Sequence, residues 1–345
     1  MTCGVFAGMT CGVLAGMTKV NMGIKIVSTG SYLPEKVLTN QDLEKMVDTS
    51  DEWIRTRTGI SERRIAAPEE ATSDLGFHAS QQALKKAGVS AESVEVIIVA
   101  TITGDYLFPS TACLIQKKLG AKNAFAFDIA ATCSGFLYGL AIARGLIVSG
   151  QYRNVLLVAA DTMSRVTDYT DRSTCVLLGD GAGAAFLSVS REDSILGDCL
   201  FSDGNLSEIL LVPAGGSRQP ASQKTVEQRL HFMKMDGQAL FKVAVQAMSG
   251  AARQALEKAG VAQDQISLLI PHQANLRIIQ ALAKNLNFPI EKVFLNIHRY
   301  GNISAASVVV SLDEAISTGL VKEGDLVLFC SFGAGLTWAA TVLRL

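Results

Sequence analysis

Gln82-Ala83-Leu84-Lys85-Lys86-Ala87-Gly88-Val89, running into the apolar stretch Val94–Val99, returns later in the chain as Gln254-Ala255-Leu256-Glu257-Lys258-Ala259-Gly260-Val261, running into Ile266–Ile270. A second pair of segments keeps the same order. Ile147-Val148-Ser149-Gly150 before Asn154–Val158 is echoed by Ile316-Ser317-Thr318-Gly319 before Asp325–Phe329. Helix, glycine stop and buried strand thus occur twice, as in a duplicated supersecondary unit. Aligning Gly150 with Gly319 without gaps sets Cys133 on Asn302. Halves packed about a pseudo-twofold axis would bring these two unlike polar residues together at the centre.

Strands and helices alternate outward from the repeat, which predicts an α/β fold of mainly parallel sheets covered by helices. The pattern predicts a first strand, Ile24–Ser28, broken at Gly30, and a strand at Val293–Ile297. The polar stretch Gly215–Gln228 reads as a surface excursion near the junction of the halves. The 345 residues are 49% hydrophobic and 18% charged, with net charge −1. Apolar material is ample for buried sheets, and no basic stripe points to nucleic acid. The seven cysteines are odd in number and lack Cys-x-x-Cys spacing. A reduced cytoplasm therefore fits better than a disulfide framework or a zinc site. Residues 1–21 hold the tandem copies MTCGVFAG and MTCGVLAG, with Lys19 the first basic residue. This segment fits neither a secretory signal nor a membrane span. It reads as an extension outside the fold, with Met17 or Met22 as a natural start. The remaining chain divides into halves at 22–195 and 196–345.

Cys133 follows a predicted strand and opens a predicted helix. The unpaired N–H groups and dipole there favour a thiolate and lower the thiol pKa. Local sequence leaves two readings open, a nucleophile or a buried, inert cysteine. His272, in Pro271-His272-Gln273-Ala274-Asn275, ends a strand where open α/β sheets place their sites; a structural histidine is the other reading. Asn302, in Gly301-Asn302-Ile303-Ser304, reads by default as a turn residue, raised by its register with Cys133. Gly179–Ala184 formally satisfies a dinucleotide fingerprint, but a strand rather than a helix follows it. Gly333-Ala334-Gly335 lies at the matching place and offers backbone N–H groups for an oxyanion hole.

These blocks together resemble the β-ketoacyl-acyl-carrier-protein synthase III family of thiolase-like condensing enzymes. The resemblance spans about Met22 to Leu345. It rests on Thr49-Ser50-Asp51-Glu52-Trp53-Ile54, Arg57-Thr58-Gly59-Ile60, Ala131-Thr132-Cys133-Ser134-Gly135, Gly179-Asp180-Gly181-Ala182-Gly183, Pro271–Arg277 and Gly301–Ser307. It implies two duplicated halves in αβαβα layers and a Cys133–His272–Asn302 triad. It further implies an oxyanion hole from Cys133 with Gly333, Ala334 and Gly335. The implied reaction joins an acyl-CoA primer, chiefly acetyl-CoA, to malonyl-acyl-carrier protein without a cofactor or metal.

By the same resemblance Thr49, Trp53, Arg57, Arg172, Gly237 and Asn275 contact CoA. Phe108 and Leu178 bound the primer, and Lys242, Arg277 and Lys284 meet the acidic carrier protein. Phe108 also implies a homodimer. Leu178 stands where acetyl-preferring members often carry Phe, so propionyl or short branched primers are expected as well. The alternatives are a condensing enzyme of a secondary-metabolite pathway, a thiolase with a second catalytic cysteine near the C-terminal glycine run, where Cys330 lies close by but the register sets Ser331 nearer the place, a hydroxymethylglutaryl-CoA synthase, which would need a further catalytic acid, or a non-catalytic acyl-binding partner.

Overall fold

The computed structural model describes residues 22–345; the expectation for residues 1–21 lies outside the described residues. The first half runs β1 (Gly23–Tyr32), β2 (Lys36–Thr39), α1 (Asn40–Glu44), α2 (Asp51–Thr58), β3 (Glu62–Ile65), α3 (Thr72–Ala87), β4 (Val96–Ala100), α4 (Thr111–Leu119), β5 (Phe125–Ile129), α5 (Gly135–Val148), β6 (Asn154–Thr162), α6 (Arg172–Cys175) and β7 (Asp180–Ser190). The second runs β8 (Ile195–Ser202), β9 (Leu210–Leu211), α7 (Gln223–Glu227), β10 (Lys234–Met235), α8 (Gly237–Ala259), β11 (Leu268–Pro271), α9 (Leu276–Leu286), α10 (Ile297–Tyr300), α11 (Ala306–Ser317), β12 (Leu326–Gly333) and β13 (Thr337–Arg344).

The duplication is visible in strand order. One sheet is β1-β7-β6-β4-β5 and the other is β8-β13-β12-β11. Each begins with antiparallel pairs and ends parallel. Side-chain alternation along β4 explains the layers. Ile97 and Val99 face α3 and α4 on the outside. Val96, Ile98 and Ala100 face an inner core built from α5, α11 and both sheets. Helices α8 and α9 cover the outer face of the second sheet. The result is five layers, αβαβα, with α5 and α11 sandwiched between the sheets. Strands covered on both faces need near-continuous apolar runs, as the sequence carries. No described helix is long and apolar enough to cross a membrane.

Two expectations need correction. Strand β1 continues through Gly30 to Tyr32. A Cβ on Gly30 would lie 2.4 Å from Ala79 O and 2.5 Å from Ala83 N, so this glycine admits α3 rather than ending the strand. No strand forms at 293–297, only a single parallel bridge from Leu269 to Val293. There the Gln273 Oε1 accepts from the N–H groups of Asn296 and Ile297, and the chain turns into α10. The polar stretch at 215–228 is a largely exposed excursion, as expected, and carries the short helix α7, capped by Ser222. The glycines at 179–183 run into β7 itself. A Cβ on Gly183 would sit 2.3 Å from Val309 Cγ1, so α11 packs directly on the sheet backbone.

Candidate active site

Cys133 lies in a tight turn, Thr132–Ser134, between β5 and α5. Thr132 has φ +44°, a left-handed conformation that costs a β-branched residue about 1–3 kcal/mol. The second half holds it there. Thr132 Oγ1 donates to Ala334 O, Ser134 Oγ to Thr337 O, and Thr337 Oγ1 to Ala131 O, each at 3.0 Å. A Cβ on Gly333 would fall 2.1 Å from Thr132 Oγ1 and 2.7 Å from Cys133 N. Only glycine lets the two backbones meet this closely.

Burial pushes the Cys133 thiol up to about 12, the Ser304 hydroxyl pulls it down, and the Asp161 charge pushes it up again. The lowered pKa expected from the helix end is therefore overturned: desolvation outweighs the helix terminus. Asp161 was missed in the sequence. It is fully buried, and its Oδ1 accepts from Thr101 Oγ1, Ile102 N, Thr103 N and Thr103 Oγ1. A lone carboxylate ending the apolar run Val155–Ala160 was the signal.

His272 follows β11 and is 3% exposed. Burial lowers its pKa to about 3, so the ring is neutral near pH 7. Its Nδ1 lies 2.7 Å from Ser307 Oγ, which also accepts from Gln273 N at 3.3 Å. With Nδ1 accepting the Ser307 hydroxyl proton, Nε2 is the nitrogen that carries the hydrogen. Asn302 is fixed in the same manner. Its N–H donates to Leu177 O, and its carbonyl accepts from Gly179 N. Its Oδ1 accepts from Ser304 N at 2.9 Å, which leaves Nδ2 as a donor. Ser304 and Ser307 were not picked out in the sequence, though both lie in the Gly301–Ser307 block.

Cys133, His272 and Asn302 line one cavity of about 370 Å³, together with Leu178, Gly237, Asn275, Gly333 and Ala334. Gly335, expected beside Gly333 and Ala334, is not among the lining residues. Leu178 pairs with Asn302 through a parallel bridge. Asn275 caps α9, and its Nδ2 donates to Arg57 O, so α2 abuts the cavity rim. Arg172 lies 5.0 Å over the Trp53 ring and donates to Asp48 O. Thr49 Oγ1 is buried without a partner. Thr49, Trp53, Arg57 and Arg172 lie outside the cavity wall itself. Lys242 on α8 and Arg277 and Lys284 on α9 are exposed, and Arg277 sits over Phe241 of the lining. Phe108 is 85% exposed and outside the cavity. Cys330 is buried among α8 and α9 residues, away from the cavity, so it cannot serve as a second cysteine beside Cys133.

Two family models match the chain. "3-Oxoacyl-[acyl-carrier-protein (ACP)] synthase III" covers 127–204, and its C-terminal model covers 256–345. A β-ketoacyl-[acyl-carrier-protein] synthase III of Caldanaerobacter subterraneus subsp. tengcongensis is 56% identical over 320 residues, 92% of this chain and 97% of that one. The chain belongs to the β-ketoacyl-acyl-carrier-protein synthase III family. Within this synthase III family, the crystal structure of the Aquifex aeolicus VF5 protein is 52% identical with a TM-score of 0.86, covering 94% of this chain and all of that one. The priming β-ketosynthase of the R1128 polyketide pathway is 38% identical with a TM-score of 0.87, covering 94% and 96%. Membership in the synthase III family makes the chain a thiolase-like acyltransferase of fatty-acid biosynthesis, as the resemblance implied.

Proposed function

We propose that the chain condenses a short acyl-CoA primer, chiefly acetyl-CoA, with malonyl-acyl-carrier protein to give a 3-oxoacyl-carrier protein, CoA and CO2. One observation carries this reading: Cys133, His272 and Asn302 share a cavity, and with Nδ1 accepting from Ser307 and Oδ1 from Ser304 N the donors that remain are His272 Nε2–H and Asn302 Nδ2–H. Cys133 sulfur attacks the primer thioester, and its proton leaves with CoA as the free thiol. The Cys133 N–H and backbone of Gly333–Ala334 border the oxygen that becomes charged. Malonyl-carrier protein then loses CO2, so no strong base is needed to make the carbanion. Two neutral donors, His272 and Asn302, suit the enolate oxygen, each worth ~2.7–4 kcal/mol in a preorganised site. The enolate attacks the acyl-cysteine, and the departing thiolate takes up a proton.

Around this centre, Trp53 with Arg172, Thr49 and Arg57 hold the CoA nucleotide, and Gly237 and Asn275 line the pantetheine arm. Lys242, Arg277 and Lys284 form the basic rim for carrier protein. Residues 22–195 and 196–345 act as the two halves, the first giving Cys133 and the second His272 and Asn302. The edge strand β5 and exposed Phe108 suit a homodimer, and the cysteines among the described residues, 113, 133, 175, 199 and 330, all free, suit the cytoplasm. A priming role in polyketide synthesis is the second reading, favoured by the R1128 relative.

Intact-protein mass after mixing with acetyl-CoA, beside a Cys133→Ala control, tests the first step. One acetyl group on the unaltered protein alone, discharged as acetoacetyl-carrier protein by malonyl-carrier protein, supports the reading. Absence of labelling by every acyl-CoA tried sinks it.

A further inference from the structure

Between β8 and α8 the chain leaves the second sheet and crosses the cavity as a strap over residues 203–236. It carries Leu210, Met233 and Met235 into the wall. Its own ladder is short, two pairs between β9 and β10. Two hydrogen-bonded contacts among the described residues tie the strap to the first half near the cavity-lining Met163 and Leu178. Met233 N donates to Val166 O at 2.8 Å. Arg229 forks onto Asp168, with Nε to Oδ2 at 2.8 Å and Nη2 to Oδ1 at 2.5 Å.

This fork is built rather than incidental. The Asp168 side chain is 4% exposed, and Thr170 N and Oγ1 also donate to its Oδ1. Lys234 Nζ stands 3.9 Å from Oδ2. Arg229 holds φ +56°, a conformation that non-glycine residues adopt only when their surroundings impose it. Met163, Leu178 and Met233 form a buried apolar cluster at this place, and Leu178 pairs directly with Asn302. The ion pair and the Met233–Val166 bond together set how closely the strap's Met233 closes on the wall beside Leu178.

We propose that Asp168 and Arg229 are a specificity-determining clasp: by holding Met233 against Met163 and Leu178, the pair limits the acyl length accepted at Cys133. The inference rests on the acyl-transfer reading of the site. Neither residue lines the cavity, so the clasp acts on room for the acyl chain and not on the chemistry.

The test compares rates of Cys133 acylation by acetyl-CoA and hexanoyl-CoA, followed by intact mass. Arg229→Gln should raise the hexanoyl-to-acetyl ratio by about tenfold, the scale on which pockets discriminate methylenes, while the acetyl rate stays close to that of the unaltered protein. Met233→Ala should raise the ratio by itself, and adding R229Q to it should give little more, because both act through one side chain. Asp168→Asn reads the pair from its other side. An unchanged ratio in either folded clasp variant overturns the proposal, as does full additivity with M233A. If neither variant folds, the pair is a fold-holding element and the proposal falls. Failure of the unaltered protein to take either acyl group overturns the acyl-transfer reading, and the clasp with it.

Discussion

Ser307→Ala separates the two chemical steps. Ser307 Oγ lies 2.7 Å from His272 Nδ1, and as the donor of that pair it keeps the ring hydrogen on Nε2. The variant removes this bond and the longer one from Gln273 N at 3.3 Å, and leaves the imidazole in place. A buried hydrogen bond contributes about 0.5–1.5 kcal/mol net, so condensation should slow by roughly two- to tenfold. His272→Ala removes the donor itself and should cost about 10²–10³-fold. Acylation of Cys133 does not use that donor, and its rate should hold in both variants. The assay is paired: acetyl uptake by intact mass, then discharge by malonyl-carrier protein under single turnover. Equal slowing of both steps by S307A would refute the assignment of His272 to the enolate. Unfolding should also become easier, by about 1–3 kcal/mol, because Nδ1 is left buried without a partner.

Gly333→Ala places a Cβ 2.1 Å from Thr132 Oγ1; the turn must shift, and acylation should fall by about 10²-fold, measured by mass with a melting curve as the folding control. Leu178→Phe should raise the ratio of acetyl to isobutyryl turnover, and an unchanged ratio would remove Leu178 from the primer wall. With the Cys133 thiol near 12, acylation should climb steadily from pH 6 to 9; a plateau near pH 7 would contradict the burial argument. His272 in the fold titrates near 3 against 6.5 when free, so the unfolded chain binds that proton first. Its contribution to stability is complete above pH 6.5 and is lost as pH falls towards 3, at roughly 1.4 kcal/mol per unit. Arg277→Glu with Lys284→Glu should raise KM for carrier protein and leave acetyl-CoA acylation unchanged, with the difference shrinking at high salt.

Much of this site was legible in the chain because the duplication carries register as well as fold. Setting Gly150 on Gly319 pairs Cys133 with Asn302, and both residues face one cavity. Periodicity found β4 and the helices α3, α4, α8 and α9, whose apolar faces and glycine stops are local properties. What stayed hidden depends on partners distant in sequence. Strand β8 follows a polar turn and forms only against β13. The run at 293–297 has strand composition, but Gln273 captures its N–H groups. The thiol pKa could not be read from a helix end alone, since burial comes from both halves together. Asp161, Ser304 and Ser307 are ordinary polar residues until the fold brings them beside Cys133 and His272.

The pairing of β8 with β13 alone has a consequence for how the protein is made. Strand β8 leaves the ribosome long before β13, and it has no other partner in the sheet. Throughout that interval its backbone edge is open to other nascent chains. The turn that holds Cys133 waits on the same event, because Ser134 and Ala131 find their partners on Thr337 of β13. The Cys133 turn is thus set only when the final strand docks. A stalled or truncated product would present an unpaired strand edge to the cell's quality control and leave the Cys133 turn without these partners.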